Sequence, residues 1–289
     1  MSSTAFTDVL GPRARRRVRM TSAVSALVLA ALAVVALQRL AAQGQLQAQL
    51  YTDLLQGPVF TRLAEGLLTT LRLAGVSMVY ALVLGGLLAL GRVSRNTAVR
   101  LLVGAYVQFF RAMPVLLLIL FSYFGLRQAG LNFSTFTFIV LGLTAYNSAV
   151  LAEIFKAGIL SLDRGQREAA LAVGMRHWQM MSLVVVPQAV RRMLPAIVSQ
   201  LVTLLKDTSL AYIIGFTEML RTGQRIAEFL DNRLQTLGLV ALIYIVINYG
   251  LNRFAVWLER RQARRYGGAI EVEGGPEDLT LTEAETQPA

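Results

Sequence analysis

Long apolar runs separated by short clusters of charge dominate the chain. They fill roughly Thr21–Leu37, Leu63–Leu90, Leu101–Leu126, Phe133–Leu160, Leu183–Leu205 and Leu234–Leu258. The runs are continuous rather than alternating, so they predict helices and not the strands of a spanning barrel. Each is near the ~20 residues that cross a bilayer, which predicts an all-α, polytopic helical bundle of about six transmembrane helices. Lipid offers no hydrogen bonds, so every backbone N–H and C=O must be paired inside the chain. The third run is interrupted by Arg111 and Pro114. The first follows a polar stretch, 1–20, that ends in Arg13, Arg15, Arg16, Arg17 and Arg19, and it precedes Ala41-Ala42. Basic, apolar and then small residues also describe a signal peptide. The length of the run favours a retained first helix over 21–40, with 41–57 as an outside loop. The mixed stretch 206–235 separates the last two runs. Residues 259–289 become acidic and rich in Gly, Thr and Glu, which predicts a disordered cytoplasmic tail.

Composition sharpens this picture. Of 289 residues, 55% are hydrophobic and only 16% charged, with a mean hydropathy of +0.55. A soluble domain of this length needs more charge to clothe its surface. The net charge of +11 could suggest nucleic acid, but the arginines flank apolar runs instead of forming one basic face. They fall mostly in the N-terminus, the loop around Arg92, Arg95 and Arg100, the loop 156–192, and Arg260, Arg261, Arg264 and Arg265. By the positive-inside rule those segments, and with them both termini, are expected on the cytoplasmic face of a cell membrane.

The chemical inventory is short. There is no cysteine, the only histidine is His177, and the only lysines are Lys156 and Lys206. Neither lysine follows the Gly-rich pattern that cradles nucleotide phosphates. No catalytic residue, metal site or cofactor is therefore expected in this chain.

The informative loop reads Gly165-Gln-Arg-Glu-Ala-Ala-Leu-Ala-Val-Gly-Met-Arg-His-Trp178. Gln166–Val173 are strong helix formers, and Gly174 stands where a helix ends. Ala169, Ala170 and Gly174 are small enough for this helix to enter a partner's groove, with Arg167 and Glu168 as polar anchors. Pro187 is tolerated at the start of the next helix. A Glu-Ala-Ala string alone is weak, but its place after the fourth run, on the arginine-rich side, makes it specific. At Glu168, Ala169, Ala170, Gly174, Val184, Val186 and Pro187 the chain resembles the ABC importer permeases. Their cytoplasmic loop reads Glu-Ala-Ala-x3-Gly-x9-Ile-x-Leu-Pro. The spacing matches, and valine replaces isoleucine and leucine.

The resemblance continues through Phe109-Phe-Arg111-Ala-Met-Pro114, Leu151-Ala-Glu153-Ile-Phe-Lys156-Ala-Gly158, Pro187–Pro195 and Leu204–Leu210. It thus covers a core of about 60–258 and is closest to the polar amino-acid, glutamate-permease-like subfamily. It implies a type I importer fold with a coupling helix at 164–178. It also implies two ABC ATPase subunits that bind the ATP and Mg, a second permease subunit in a heterodimer, an extracytoplasmic solute-binding protein and an amino-acid substrate.

Several polar residues have two readings. Arg111 either snorkels to headgroups, the favoured reading, or faces a substrate path. Asn147 and Ser148, with Thr144 and Tyr146, either bond neighbouring helices or line that path. Lys206, Asp207, Thr208 and Ser209 form a gate or a local cap; the resemblance implies that they line the path. Glu153 and Lys156 are a helical turn apart and can pair. Two rivals remain. A secondary amino-acid transporter working without an ATPase would show paired repeats and buried coupling acids. A membrane enzyme would show a His/Asp or metal cluster.

Overall fold

The computed structural model describes residues 11–94 and 96–266, without the side chains of Pro12, Arg15, Arg164 and 262–266. Among these residues every regular element is helical. Helix α1 spans Pro12–Ala42, α2 Gly57–Arg92, α3 Thr97–Ala112, α4 Val115–Gln128, α5 Thr135–Leu160, α6 Arg164–Ala172, α7 His177–Ile214, α8 Met219–Leu230 and α9 Arg233–Tyr266. Five of the described helices are long and apolar enough to cross a membrane, or six if α3 and α4 count as one broken span.

Helix α5 is the centre. Phe138, Ile139, Leu143, Leu151 and Ala152 on it are fully buried, and α2, α3, α4 and α7 pack around it. Its glycine at 142 lets α4 come close. A Cβ there would stand 2.8 Å from the Ile119 Cα and 2.9 Å from the Leu118 carbonyl. Gly85 of α2 does the same against Ser148 and Leu151 of α5. Small residues at the contact are how helices associate in lipid, where no hydrophobic effect drives them together. In contrast, the most apolar stretch of α1 is wholly unburied.

The elements differ from the sequence expectation where polar residues prolong a helix. Helix α1 reaches back through the arginines to Pro12, because a helix needs apolar residues only within the hydrocarbon. The loop expected at 41–57 contains a short helix, Ala48–Thr52. It is held by the Asn232 amide donating to the Leu50 carbonyl and by Gln235 donating to the Gln45 carbonyl. The interrupted third run is two helices bent by 102°, with Pro114 at the break, where it cannot supply an N–H to a continuing helix.

The fifth span begins at His177 rather than near 183, so Pro187 lies inside it. A π-helical stretch, Met180–Val185, precedes that proline and accommodates its missing donor. The α-helical part of this span ends at Asp207, beyond which it tightens into a 3₁₀ segment, Thr208–Ile214. Residues 259–266, assigned above to the tail, are the last turns of α9. The disorder expected for the rest of the tail concerns 267–289, outside the described residues, as are residues 1–10 of the N-terminal stretch.

Replacing Gly142 by alanine forces the α4 and α5 backbones apart and should destabilise the protein by about 1–3 kcal/mol. Gly75→Ala, with nothing within 4 Å of the added carbon, serves as control. Thermal unfolding in detergent should lower the midpoint for the first variant only.

Candidate functional site

Two groups of residues carry the candidate chemistry, one at the end of the bundle bearing α6 and one in its interior. Helix α6 is short and stands outside the long helices. Asp163 caps it by accepting from the Gly165 N–H at 2.9 Å. Its other end closes in a Schellman turn: the Gly174 N–H donates to the Leu171 carbonyl at 3.0 Å and the Met175 N–H to the Ala170 carbonyl at 3.2 Å. That turn requires a left-handed residue, and Gly174 has φ +80°.

Two arginines converge on the end of α5, one from α6 and one from α7. Arg167 donates to the Ile159 carbonyl, and Arg192 of α7 donates to the Ser161 carbonyl at 3.0 Å. These carbonyls lie at the C-terminus of α5, where the helix leaves its acceptors unused and its dipole is negative. Ala170 is buried in a cluster with Leu162, Met180, Val185, Ala189 and Met193. Its small side chain therefore seats α6 on its own chain. Arg167 likewise reaches inward. The outward face consists of Glu168, Ala169, Leu171, Ala172 and Val173, all exposed, with Gly174 and Pro187 also at the surface. Val173 is 75% exposed and Trp178 63%, large apolar groups at the edge of a polar helix.

A further ionic tie lies on α2 and α5. Glu153 pairs with Lys156 at 3.9 Å but far more closely with Arg92 of α2, at 2.8 Å. The sequence pairing of Glu153 with Lys156 thus found the weaker partner, since only folding brings Arg92 alongside.

In the interior, Asn147 and Ser148 are fully buried on α5. Asn147 donates to the Leu143 carbonyl at 2.8 Å and accepts from Gln200 of α7 at 2.7 Å. Ser148 donates back to the Ala145 carbonyl at 3.1 Å. Thr208 is buried and donates to the Leu205 carbonyl, as Ser209 does to the Lys206 carbonyl, both at 2.7 Å. Lys206 lines a cavity of about 520 Å³ between α7 and α9, together with Ser209, Tyr244 and Asn248. Arg111 is exposed in the last turn of α3, beside the break, and lines neither this cavity nor the Asn147 pair.

One polar centre escapes a reading of the sequence. Glu218, in the connection between α7 and α9, is fully buried. It caps α8, accepting from the Leu220 and Arg221 N–H groups at 2.9 and 2.8 Å. It also accepts from the Tyr244 hydroxyl at 3.1 Å and faces Thr70 of α2. No sequence pattern announces it, because its partners lie 148 and 26 residues away. Burial pushes its carboxyl above the usual carboxylate range; the backbone donors and the two hydroxyls pull the other way.

Residues 81–264 match the family described as binding-protein-dependent transport system inner membrane component. The glutamate transport system permease protein GluD of Corynebacterium glutamicum is 42% identical over 226 residues, covering 77% of this chain and 83% of its own. The glutamate/aspartate import permease protein GltK of Escherichia coli is 33% identical over 214 residues, covering 71% and 96%. The crystal structure of an amino acid ABC transporter with histidines superposes with a TM-score of 0.68 at 30% identity, covering 73% of this chain and 98% of that one.

A carboxyl raised by burial folds best when protonated. Glu218 therefore stabilises the fold below the ordinary glutamate value of 4.5, and that contribution is lost as pH rises through its higher folded value. Wild type should lose thermal stability relative to Glu218→Gln as pH rises from about 4.5. A difference between the two melting curves that is constant with pH refutes the assignment.

Proposed function

The chain belongs to the family of binding-protein-dependent transport system inner membrane components, and on that premise we propose that it is the amino-acid-importing permease subunit of an ABC transporter. The observation that carries this reading is α6: a capped helix outside the membrane spans, tied to the end of α5 by Arg167, beside the Arg192 bond that ties α7 to the same end, with Glu168, Ala169 and Val173 facing out. A rigid projection of that kind transmits force, because a push on it moves the centre of the bundle. In this reading α6 is the coupling helix. It docks in a cleft of an ATP-hydrolysing partner, and Ala170 and Gly174 set its seat and its exit.

The complete transporter would hold two ABC ATPases, which bind the ATP and Mg, and a second permease subunit, most simply a different chain. A solute-binding protein would deliver substrate outside. The arginine-rich ends, including both termini, would face the cytoplasm. The permease core would span about 60–258. The printed names of the GluD and GltK relatives favour glutamate or a related acidic amino acid as substrate. The buried Asn147–Gln200 pair and the Lys206 cavity offer polar groups for a zwitterion crossing an apolar bundle. Family membership argues against a secondary transporter working alone, and the family is one of transport permeases rather than enzymes.

Reconstituted with its ATPase partners, the wild type should take up amino acid only with ATP inside the reach of those subunits. Uptake by this chain alone would overturn the reading. Gly174→Ala should misdirect the Schellman turn, since a side chain at its φ costs about 1–2 kcal/mol. Gly174→Arg should abolish uptake while the protein still inserts. Arg167→Gln should leave ATP hydrolysis running but lower uptake per ATP consumed, measured by parallel phosphate and isotope assays.

A further inference from the structure

A second cavity, of about 560 Å³, opens between α2 and α8 at the opposite end of the bundle from α6. The two helices touch at Gly66 and Thr222, where a Cβ on the glycine would stand 2.8 Å from the threonine hydroxyl. One turn from that contact each helix contributes a charge to the cavity: Arg62 from α2 and Arg225 from α8. Glu65, on the same face of α2 as Arg62, adds a carboxylate, and Thr69 and Thr217 add hydroxyls. Neither arginine, nor the Glu65 carboxylate, has an ion pair or side-chain hydrogen bond among the described residues. Two guanidinium groups and a single carboxylate line one space.

Depth supports access from outside. Helix α2 has 36 residues, a length of about 54 Å, against a hydrocarbon thickness of about 30 Å. Its first turns, with Arg62 and Glu65, therefore project to headgroup level or beyond. That end faces away from the cytoplasm in the proposed orientation.

We infer that this cavity is an outer subsite for a free dicarboxylic amino acid. The site carries two positive charges and one negative; such a ligand carries two carboxylates and one ammonium. Arg62 and Arg225 would each take a carboxylate, by the planar two-pronged geometry that guanidinium offers. Glu65 would take the ammonium. A phosphate group without an ammonium would leave Glu65 facing a like charge, which disfavours a purely anionic lipid headgroup. The neutral amide of the same amino acid loses one of the two arginine contacts, so the site discriminates acid from amide. This inference rests on the reading of the chain as an amino-acid permease, and it assigns the outer site's selectivity to this subunit.

The chain has no cysteine, and Phe229, lining the cavity, is 87% exposed. Phe229→Cys therefore gives a single reporter thiol on this chain, and its labelling is read on this subunit after separation from the full transporter, which is held in phosphatidylcholine nanodiscs without ATP or solute-binding protein. L-Glutamate should slow maleimide labelling at this position, and L-glutamine should protect far less. Arg62→Gln or Arg225→Gln should raise the half-protecting glutamate concentration roughly tenfold to a hundredfold, the effect of losing a charge-assisted hydrogen bond. Arg225→Lys should restore part of it. Equal protection by both amino acids, unchanged protection in both glutamine variants, or protection produced only by adding phosphatidylglycerol would overturn the subsite. Loss of amino-acid uptake in the ATP-driven assay would instead refute the function proposed for the chain, a separate readout from labelling without ATP.

Discussion

A backbone carbonyl or amide left without a partner in hydrocarbon is the constraint on which this structure depends. Long helices satisfy it by themselves. The interest lies where the chain departs from an α-helix. Before Pro187 the helix widens to a π stretch, and beyond Asp207 it tightens to 3₁₀, so the ladder of bonds continues through both changes. At the start of α8 the Glu218 carboxylate receives two N–H groups that no turn of helix could serve. At the end of α5 two arginines occupy the free acceptors. The last two departures are closed by side chains.

The clamp on α5 shows how local chemistry becomes mechanics. Arg167 and Arg192 come from two different elements and converge on one helix end. The cluster around Ala170 fills the space beneath. Because α5 is also the helix around which α2, α3, α4 and α7 pack, displacement of α6 is delivered to the middle of the bundle instead of being absorbed in a loop. The Arg92–Glu153 pair joins α2 to the same helix near its C-terminal half.

The broad plan was legible from the chain alone because its signals are local. Apolar runs, the Gly174 stop and the arginine asymmetry are all read within a few turns of helix. The short helix at 164–172 was legible for the same reason. What failed to show were relations between distant segments. Gln200 meets Asn147, Arg92 meets Glu153 and Glu218 meets Thr70 only once the helices are packed. Polar helix ends were also invisible to a criterion built on hydropathy, so α1, α7 and α9 ran longer than expected. Ala170 is buried within its own chain, a packing that its short side chain permits and that the sequence alone does not reveal.

Helix α1 stands apart from all of this. Its most apolar stretch buries nothing against the rest of the described chain, and the segment after it is moored by the amides of Asn232 and Gln235. Those hydrogen bonds and the burial of Leu54 tie the connecting segment to the bundle, while α1 itself makes no such tie. The bundle can change shape without repacking against α1. Cargo or tags attached ahead of α1 would accordingly be insulated from the working stroke of the bundle.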